Sequence, residues 1–291
     1  MAKVWFITGA SRGLGADLAK AALAAGDYVV ATGRRRPAVR VAAGRDADRL
    51  LSVELDVTDA AQARAAVDAA MSRFGGIDVL VNNAGYGHMG FFEEMTIKDA
   101  HEQFATNLFG AFNVTWAVLP QMRTVRKGRV FNISSLGGVV GAQLGSLYCS
   151  SKFALEGFSE CLSKEVSPFG IFVTLVEPGP FRTEFLTPQS MHFGDNPIGD
   201  YDDRRAQLHA SFKERNGRQP GDPAKLADAI VYLADIGNPP ARFFAGSVAV
   251  EAAQKKLAAM ESEIAAWRNL SLSTDGSFTD SDVGGFLRQI K

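Results

Sequence analysis

Cysteine and histidine are scarce in this sequence. Of its 291 residues, two are cysteine and four are histidine. The histidines show no metal-ligand spacing, so we expect no metal site. In a helix predicted at 147–168, Cys149 and Cys161 would lie about 18 Å apart, too far for a disulfide. We expect both to pack inside the protein, with substrate contact as the alternative for Cys149. This usage fits a reducing compartment.

Long apolar runs and an excess of either charge are also missing. No run reaches the roughly 18 residues of a membrane span, and the N-terminal run at 4–7 is too short for a signal peptide. The 31 basic and 32 acidic side chains leave a formal net charge of −1. Binders of nucleic acid or anionic membranes usually carry a stronger bias. We therefore expect a cytoplasmic protein with a small-molecule partner, and no nucleic-acid or membrane partner.

What the sequence does contain is a repeated alternation of short apolar runs and longer helical patterns. The strands are predicted at 3–8, 27–32, 51–55, 77–81, 128–133, 171–176 and 243–249. The helices are predicted at 13–25, 59–73, 99–123, 147–168 and 222–235. Most of the strands are apolar throughout, as strands covered on both faces are. We predict an α/β fold with a doubly wound, Rossmann-like parallel sheet of about seven strands and helices on both faces. Ligands then bind beyond the carboxyl ends of the strands.

The domain organisation follows from length and from two irregular segments. A chain with 46% hydrophobic residues can bury one large core, so we predict a single catalytic domain at 1–250. Within it, 184–221 is rich in Gly, Pro and Asp and is interpreted as a substrate-binding lid, with a disordered insert as the alternative. Residues 251–291 form an extension in which Glu251 to Leu270 is an amphipathic helix, followed by a tail.

A glycine-rich turn follows the first strand and opens the first helix. Its residues are Thr8-Gly9-Ala10-Ser11-Arg12-Gly13-Leu14-Gly15. Such glycines allow a tight turn and bring backbone N–H groups and a helix N-terminus close to a phosphate. The spacing resembles the TGxxxGxG motif of the short-chain dehydrogenase/reductase family, in its compact single-domain form. That resemblance implies cofactor contacts by Gly9, Ser11, Arg12, Gly13, Leu14 and Gly15; a glycine-rich turn without a nucleotide is the alternative.

The end of the second strand indicates which nicotinamide cofactor is used. Folds that select NAD place an acidic residue there, on the ribose 2′-hydroxyl. This sequence has Gly33 at that place, followed by Arg34 and Arg35, whose guanidinium groups can bind a 2′-phosphate. Arg12 can approach the same phosphate from the other side. We therefore predict NADP(H), with a solvated loop as the alternative for Arg34 to Arg36.

Three further segments match the family in order along the chain. Asp56 and Val57 would lie against the adenine ring, although Asp56 could instead cap a turn. Within the Asn82-Asn83-Ala84-Gly85 motif, small residues would hold the cofactor ribose and Asn83 would tie neighbouring strands together. The nicotinamide carboxamide would be held by a PGxxxT segment, through Pro178, Gly179, Phe181 and Thr183.

The catalytic prediction rests on a YxxxK motif, Tyr148 and Lys152, which helical spacing puts on one face. Ser135 stands thirteen residues before Tyr148, and that order matches the family's catalytic Ser, Tyr and Lys. The resemblance implies that Tyr148 is the general acid and base and that Lys152 also binds the nicotinamide ribose. It further implies that Asn107 holds a water. A Lys152 cation should lower the pKa of the phenol. Taken singly, Tyr148 and Lys152 could be an exposed helix pair, Ser135 a turn residue and Asn107 a helix-kink residue.

The loops around this group are apolar, which favours a lipophilic ketone, aldehyde or secondary alcohol as substrate. They contain Tyr86, His88, Met89, Phe91, Phe92, Leu136, Val139, Val140, Phe185, Leu186, Met191 and Phe193. Some of these side chains could instead pack the lid onto the body. A sensor that binds NADP without turnover, or an epimerase or dehydratase on the same scaffold, are the other functions considered. Relatives often associate through the helices bearing Asn107 and Tyr148, whereas the 251–291 tail could cover a second interface. We expect a homodimer or a monomer more than a tetramer.

Overall fold

The structure, a computed structural model, describes residues 2–43, 48–276 and 283. Its strands are β1 (Val4–Ile7), β2 (Tyr28–Gly33), β3 (Leu50–Glu54), β4 (Val79–Asn82), β5 (Gly87–Met89), β6 (Gly128–Ile133), β7 (Ile171–Pro178), β8 (Met191–Phe193) and β9 (Arg242–Ala245). Its helices are α1 (Gly13–Ala24), α2 (Arg36–Ala43), α3 (Ala60–Phe74), α4 (Ile97–Phe104), α5 (Gly110–Val125), α6 (Ser146–Val166), α7 (Asp202–Arg215), α8 (Pro223–Asp235) and α9 (Ser247–Leu272). A π-helical segment, Ala105–Phe109, joins α4 to α5.

The central sheet has seven parallel strands in the order β3-β2-β1-β4-β6-β7-β9. With helices on both of its faces, this is the predicted doubly wound, Rossmann-like sheet. The strand order reverses between β1 and β4, so the connections that leave these two strands diverge. A crevice forms there beyond the carboxyl ends, which is where open α/β sheets bind ligands.

The central strand β1 shows why the strands are apolar throughout. Trp5 and Ile7 belong to the core under α1 and α8, whereas Val4 and Phe6 belong to the core under α3 and α5. Successive side chains of a strand point to opposite faces, so both faces of β1 must be apolar when both are covered. The Trp5 indole keeps its polar atom satisfied by donating to Asp27 Oδ2 at 2.8 Å. The sheet therefore divides the interior into two cores.

Two predicted elements differ from the structure near their ends. The single helix expected at 99–123 is α4, the π-helical segment and α5. The strand expected at 243–249 ends at Ala245, because Gly246 has a φ of +86° and Ser247 already begins α9. Helix α2 was not predicted, and Arg36 lies in it rather than in the solvated loop considered as the alternative.

Residues 184–221 contain more regular structure than their composition indicated. They include β8, which pairs in parallel with β5, and the fourteen-residue helix α7. The small β5–β8 sheet fixes this segment to the loop that follows β4. A disordered insert does not describe the segment.

The final helix, α9, confirms the helix predicted from Glu251 to Leu270 and begins four residues earlier. Only Ala249 and Ala253 of this helix are buried. No helix in the described part of the chain combines the length and the apolar character needed to cross a membrane.

Candidate active site

The glycine turn between β1 and α1 adopts a shape that its glycines require. Gly9 and Gly13 have φ values of +66° and +53°, in the left-handed region that favours glycine. A Cβ on Gly15 would lie 2.5 Å from Asn83 Nδ2 and 2.6 Å from Gly9 O. The N-cap residue of α1 makes no side-chain cap bond. The turn thus leaves the N–H groups at the start of α1 available to a phosphate.

The end of β2 combines a crowded glycine with two exposed arginines. A Cβ on Gly33 would lie 2.9 Å from Val39 Cγ2 and 3.6 Å from Ser11 Cβ, so a larger residue would crowd the turn. Arg34 and Arg35 are exposed. Neither makes an ion pair with another described residue. Both guanidinium groups are therefore free to meet an anion at this edge.

Arg12 differs from the prediction that it approaches the same phosphate. Its guanidinium donates to Gln189 O at 2.7 Å and to Ser190 Oγ at 3.1 Å. Glu184 lies 3.9 Å away. All three partners belong to the 184–221 segment, so Arg12 links the glycine turn to that segment. It points there because this segment supplies acceptors beside the turn.

The motif after β4 ties the central strands together. Asn83 Nδ2 donates to Thr8 O at 2.8 Å, and Thr8 Oγ1 accepts from the N–H groups of Asn83 and Ala84 at 2.9 and 3.0 Å. A Cβ on Gly85 would lie 3.2 Å from Asn107 Oδ1 and 3.7 Å from Lys152 Nζ. The strand-tying role predicted for Asn83 is confirmed, and Gly85 adjoins the catalytic residues.

The Asp56 carboxylate stabilises the turn after β3. Its Oδ1 accepts from Thr58 N at 3.0 Å and from Thr58 Oγ1 at 2.7 Å. The N-cap of α3 is Asp59 rather than Asp56. Val57 is buried against Gly110, where a Cβ would lie 2.5 Å from Val57 Cγ2. The adenine contact predicted for Asp56 and Val57 stays a prediction.

Tyr148 and Lys152 lie one turn apart on α6, and both are buried, with 8% and 6% of their surface exposed. The Tyr148 hydroxyl shares a hydrogen bond with Ser135, which follows β6. Lys152 Nζ donates to Ile133 O at 2.7 Å and lies 6.0 Å from the centre of the Tyr148 ring. The structure thus brings Ser135, Tyr148 and Lys152 together at the carboxyl edge of the sheet.

Asn107 sits in the π-helical segment, and its side-chain amide is hydrogen-bonded at both its nitrogen and its oxygen. Nδ2 donates to Tyr86 O at 3.0 Å and to Ser151 Oγ at 3.1 Å, while Oδ1 accepts from Tyr86 N at 3.1 Å. Single π-helical turns within α-helices often mark functional sites. This turn joins the loop after β4 to α6 and explains why the predicted long helix is interrupted.

Burial controls proton binding at this site. It raises the pKa of Tyr148 to about 12, although the hydrogen bond with Ser135 acts in the opposite direction. Burial also lowers the pKa of Lys152 to about 8, opposed by the charge of Glu156. Burial disfavours both charged forms, and it is the largest influence on the pKa of the phenol. The lowering of that pKa by a Lys152 cation stays a prediction. Near neutral pH the phenol holds its proton and can donate it.

The segment after β7 faces the glycine turn. A Cβ on Gly13 would lie 3.7 Å from Thr183 Cβ, and Thr183 Oγ1 accepts from Phe185 N at 3.3 Å. Pro178 ends β7, and Gly179 N donates to Ala245 O at 3.0 Å. The Phe181 ring covers Gly221, where a Cβ would lie 2.6 Å from it. Thr183 is thus placed across the crevice from the glycine turn.

An apolar cluster encloses Tyr148 on the side away from the sheet. The Phe185 ring lies 5.4 Å from the Tyr148 ring. Other members of the cluster include Met89, Leu144, Cys149, Met191, Leu186 and Phe193. Packing of the 184–221 segment onto the body therefore also covers the candidate catalytic residue, and contact of these side chains with a substrate stays a prediction. Cys149 is buried there, but Cys161 is exposed, so the packing role expected for Cys161 is wrong.

Two sets of buried polar residues were not predicted as part of the site. Gln103 donates to Tyr86 O at 2.9 Å and accepts from His88 N at 2.6 Å. Behind Lys152, Arg242 contacts both Glu156 and Glu177. Helical spacing offered one signal, because Glu156 follows Lys152 by four residues. Arg242 lies ninety residues further along the chain, so only the fold reveals that contact.

Comparisons with known proteins agree with this geometry. A family model described as short chain dehydrogenase matches residues 3–192. The oxidoreductase BOA17 of Botryotinia fuckeliana is 38% identical over 94% of this chain and all of its own length. A 3-ketodihydrosphingosine reductase of Bacteroides thetaiotaomicron is 39% identical over 82% of this chain and 86% of its own. The crystal structure of a short-chain dehydrogenase from Streptomyces avermitilis is 39% identical, with a TM-score of 0.86 over 95% of this chain and all of that one.

Proposed function

This chain belongs to the short-chain dehydrogenase family, whose members use nicotinamide cofactors, and from that premise we propose its specific activity. It is an NADP(H)-dependent oxidoreductase that interconverts a carbonyl and a secondary alcohol on a lipophilic small molecule. The observation that carries this proposal is the buried Tyr148. It is hydrogen-bonded with Ser135 and has Lys152 Nζ 6.0 Å from its ring centre.

In carbonyl reduction, Tyr148 donates its proton to the carbonyl oxygen. Bound NADPH supplies the hydride. Ser135 donates to the same oxygen, which positions it beside the phenol and stabilises the negative charge that develops there. Because burial raises the pKa of Tyr148 to about 12, the phenol carries its proton at neutral pH, as the acid in carbonyl reduction must. Lys152 binds the nicotinamide ribose and supports proton return to Tyr148 through a water held by Asn107.

The residues at the carboxyl edge of the sheet fit a dinucleotide. Glycines that admit no Cβ line the turn before α1, and Thr183 stands across the crevice to meet the nicotinamide carboxamide. The preference for NADP(H) rests on Gly33 and on the exposed Arg34 and Arg35. Since Arg12 is engaged by the 184–221 segment, we assign the 2′-phosphate to Arg34 and Arg35.

The lipophilic substrate is supported by the apolar cluster around Tyr148. Residues 184–221 serve as the substrate-binding lid of a single catalytic domain at 1–250. One relative is a 3-ketodihydrosphingosine reductase, whose named substrate is a ketone. For the expected homodimer, the π-helical segment, α5 and α6 offer the exposed aromatic side chains Phe109, Trp116 and Phe153.

The activity is tested by following the absorbance of NADPH with a panel of lipophilic ketones and aldehydes. Tyr148→Phe should lower kcat/KM by about 10²- to 10⁴-fold while NADPH binding, measured by fluorescence, persists. Tyr232→Phe is the matched control, because Tyr232 is 66% exposed. Turnover that survives Tyr148→Phe would overturn the mechanism. NADPH binding without turnover of any panel member would instead indicate a sensor.

The cofactor preference is tested separately with Arg34→Gln. Loss of a charge-assisted hydrogen bond to the 2′-phosphate should raise the Kd for NADPH about tenfold or more and leave that for NADH nearly unchanged. Arg36→Gln is the control, since Arg36 is also exposed but lies in α2. Equal weakening of both cofactors by Arg34→Gln would contradict the assignment.

A further inference from the structure

In the described part of the chain, the last helix has no partner along most of its length. Helix α9 has 26 residues, or about 39 Å at about 1.5 Å per residue. Every residue from 254 to 276 is exposed. These exposed residues include the large apolar side chains Leu257, Met260, Ile264, Trp267, Leu270 and Leu272. An exposed apolar stripe of this size is characteristic of an interaction surface.

The stripe has the spacing of a coiled-coil seam. Alternate intervals of three and four residues separate Val250, Ala253, Leu257, Met260, Ile264 and Trp267, which places them at the a and d positions of successive heptads. Ala253 is already buried in its own chain, so the exposed seam runs from Leu257 to Trp267. The positions farthest from this seam, called f, are polar: Lys255, Ser262 and Asn269.

Charges beside the seam select one orientation of a partner helix. Lys256 and Glu263 are at g positions, and Glu261 and Arg268 are at e positions. In a parallel, in-register pair, each g residue faces the e residue five positions later in the other helix. Lys256 then meets Glu261, and Glu263 meets Arg268, so all of these contacts are attractive. None of the four residues has an ion pair elsewhere in the described chain.

The antiparallel alternative is disfavoured by the same residues. In an antiparallel pair, e positions face e positions and g positions face g positions. When the four exposed seam residues, Leu257 to Trp267, are paired end to end, Glu261 faces its own copy and so does Glu263, and these like charges act against the pairing. When all six seam residues are paired end to end, Lys256 faces Glu263, but Glu261 faces the uncharged Gln254 and Arg268 faces Ser247. That register forms two attractive contacts in the dimer, whereas the parallel pair forms four.

We propose that α9 pairs in parallel and in register with α9 of a second copy of this chain. The seam spacing and the charge complementarity together identify this occupant. The proposal does not depend on the catalytic assignment, and the interface is separate from the aromatic surface of α5 and α6.

Disulfide trapping tests the orientation and register. Leu257→Cys and Ile264→Cys are each made in a Cys161→Ser background, since Cys161 is exposed and Cys149 is buried. Equivalent a positions face each other only in the parallel, in-register pair, so mild oxidation should link most of either variant into a covalent dimer. Asn269→Cys, at an f position, should stay unlinked. Failure of either seam variant to link, or equal linking of Asn269→Cys, overturns the proposal.

Sedimentation of the full chain tests the strength of the pairing. Ile264→Asp places a charge in the seam of both helices and should weaken association about 100-fold or more. Ser262→Asp, at an f position, should leave it unchanged. Association that survives Ile264→Asp would assign the contact to another surface such as α5 and α6. If the wild-type chain and its variants are all monomeric, the stripe contacts something other than a second copy of the chain. Either result overturns the proposal.

Charge reversal gives a third test, because it should change the strength of association only if these charges face each other in the dimer. Glu263→Lys and Arg268→Glu should each weaken association roughly 3- to 10-fold, because each puts like charges opposite one another twice in the dimer. The double variant should restore it. Additive weakening in the double variant would contradict the parallel pairing.

Discussion

Tyr148 is enclosed from two sides that are built differently. On the sheet side, Ser135 and Lys152 are held by hydrogen bonds of fixed direction, and the Lys152 contact reaches a strand carbonyl at 2.7 Å. On the lid side, the contacts are apolar, such as the Phe185 ring 5.4 Å from the phenol. Directed bonds fix where a proton is delivered, whereas apolar contact tolerates variation in shape. Changes on the sheet side should therefore lower kcat, and changes on the lid side should mainly raise KM.

The largest effect is expected for Lys152→Met, which removes a cation from the sheet side. We expect kcat to fall about 10²- to 10⁴-fold with a smaller change in the KM for ketone, because the lysine supports proton transfer. Lys255→Met is the control, since Lys255 is exposed on α9. Steady-state kinetics with NADPH measures kcat and the KM for ketone. If Lys152→Met changes only the KM, the two sides of Tyr148 do not differ in the kinetic constant that they control.

The same variant should make the fold more stable. Burial lowers the folded-state pKa of Lys152 from 10.5 to about 8, so at pH 7 the protein keeps a cation that burial disfavours. Between pH 8 and 10.5 the unfolded chain binds more protons, and wild-type stability from this group rises with pH. Lys152→Met should therefore unfold about 2–4 °C higher at pH 7, and its advantage should shrink towards pH 10.5. An advantage that is constant with pH would contradict the buried cation.

Gly15→Ala tests the cofactor end of the sheet side. The added methyl group would lie 2.5 Å from Asn83 Nδ2 and 2.6 Å from Gly9 O, so the turn must shift away from the phosphate position. We expect NADPH binding to weaken about 10- to 100-fold, measured by titration of fluorescence. Gly157→Ala, where nothing lies within 4 Å of the added Cβ, should bind normally. If Gly15→Ala binds NADPH normally, the turn accommodates a methyl group at this position, contrary to the short distances in the structure.

The two sides also differ in how far the sequence predicts them. Gly9, Gly15, Tyr148 and Lys152 act through local spacing, because a turn or one helical face brings them together. The sequence therefore predicts the parallel sheet and the sheet side of the site well. The 184–221 segment was read by composition alone, so β8 and α7 were missed. Their pairing partners lie about a hundred residues away in the chain.

Distant contacts also explain the individual errors. The interruption of the predicted helix depends on Asn107, whose amide bonds to Tyr86 and Ser151 from other elements. The contact of Arg12 with a phosphate stays a prediction, and the sequence did not indicate that its guanidinium reaches Gln189 and Ser190. The pKa of Tyr148 depends on its burial by the lid, which a YxxxK motif does not encode.

Phe185→Ala removes the ring that covers Tyr148 from the lid side. We expect the KM of a lipophilic ketone to rise about tenfold, because apolar substrate surface loses contact, while kcat changes less. Phe92→Ala is the matched control, since Phe92 is 71% exposed. Kinetics with two ketones that differ in chain length should show the larger loss for the longer one. An unchanged KM would show that the Phe185 side of the site does not take part in substrate binding.

The smallest effect is expected for Glu177→Gln, behind the sheet side, where only stability should change. Burial and the nearby Glu156 raise the folded-state pKa of Glu177 to about 8. The folded protein therefore binds more protons than the unfolded chain between pH 4.5 and 8, and wild-type stability from this group falls as the pH rises. Glu177→Gln should match wild type near pH 5 and unfold a few degrees higher, about 2–4 °C, at pH 8. Glu160→Gln, 3.6 Å from the same Arg242 but exposed, should show no such trend. If Glu177→Gln is instead less stable at every pH in thermal scans, Glu177 is an ionised partner that Arg242 requires.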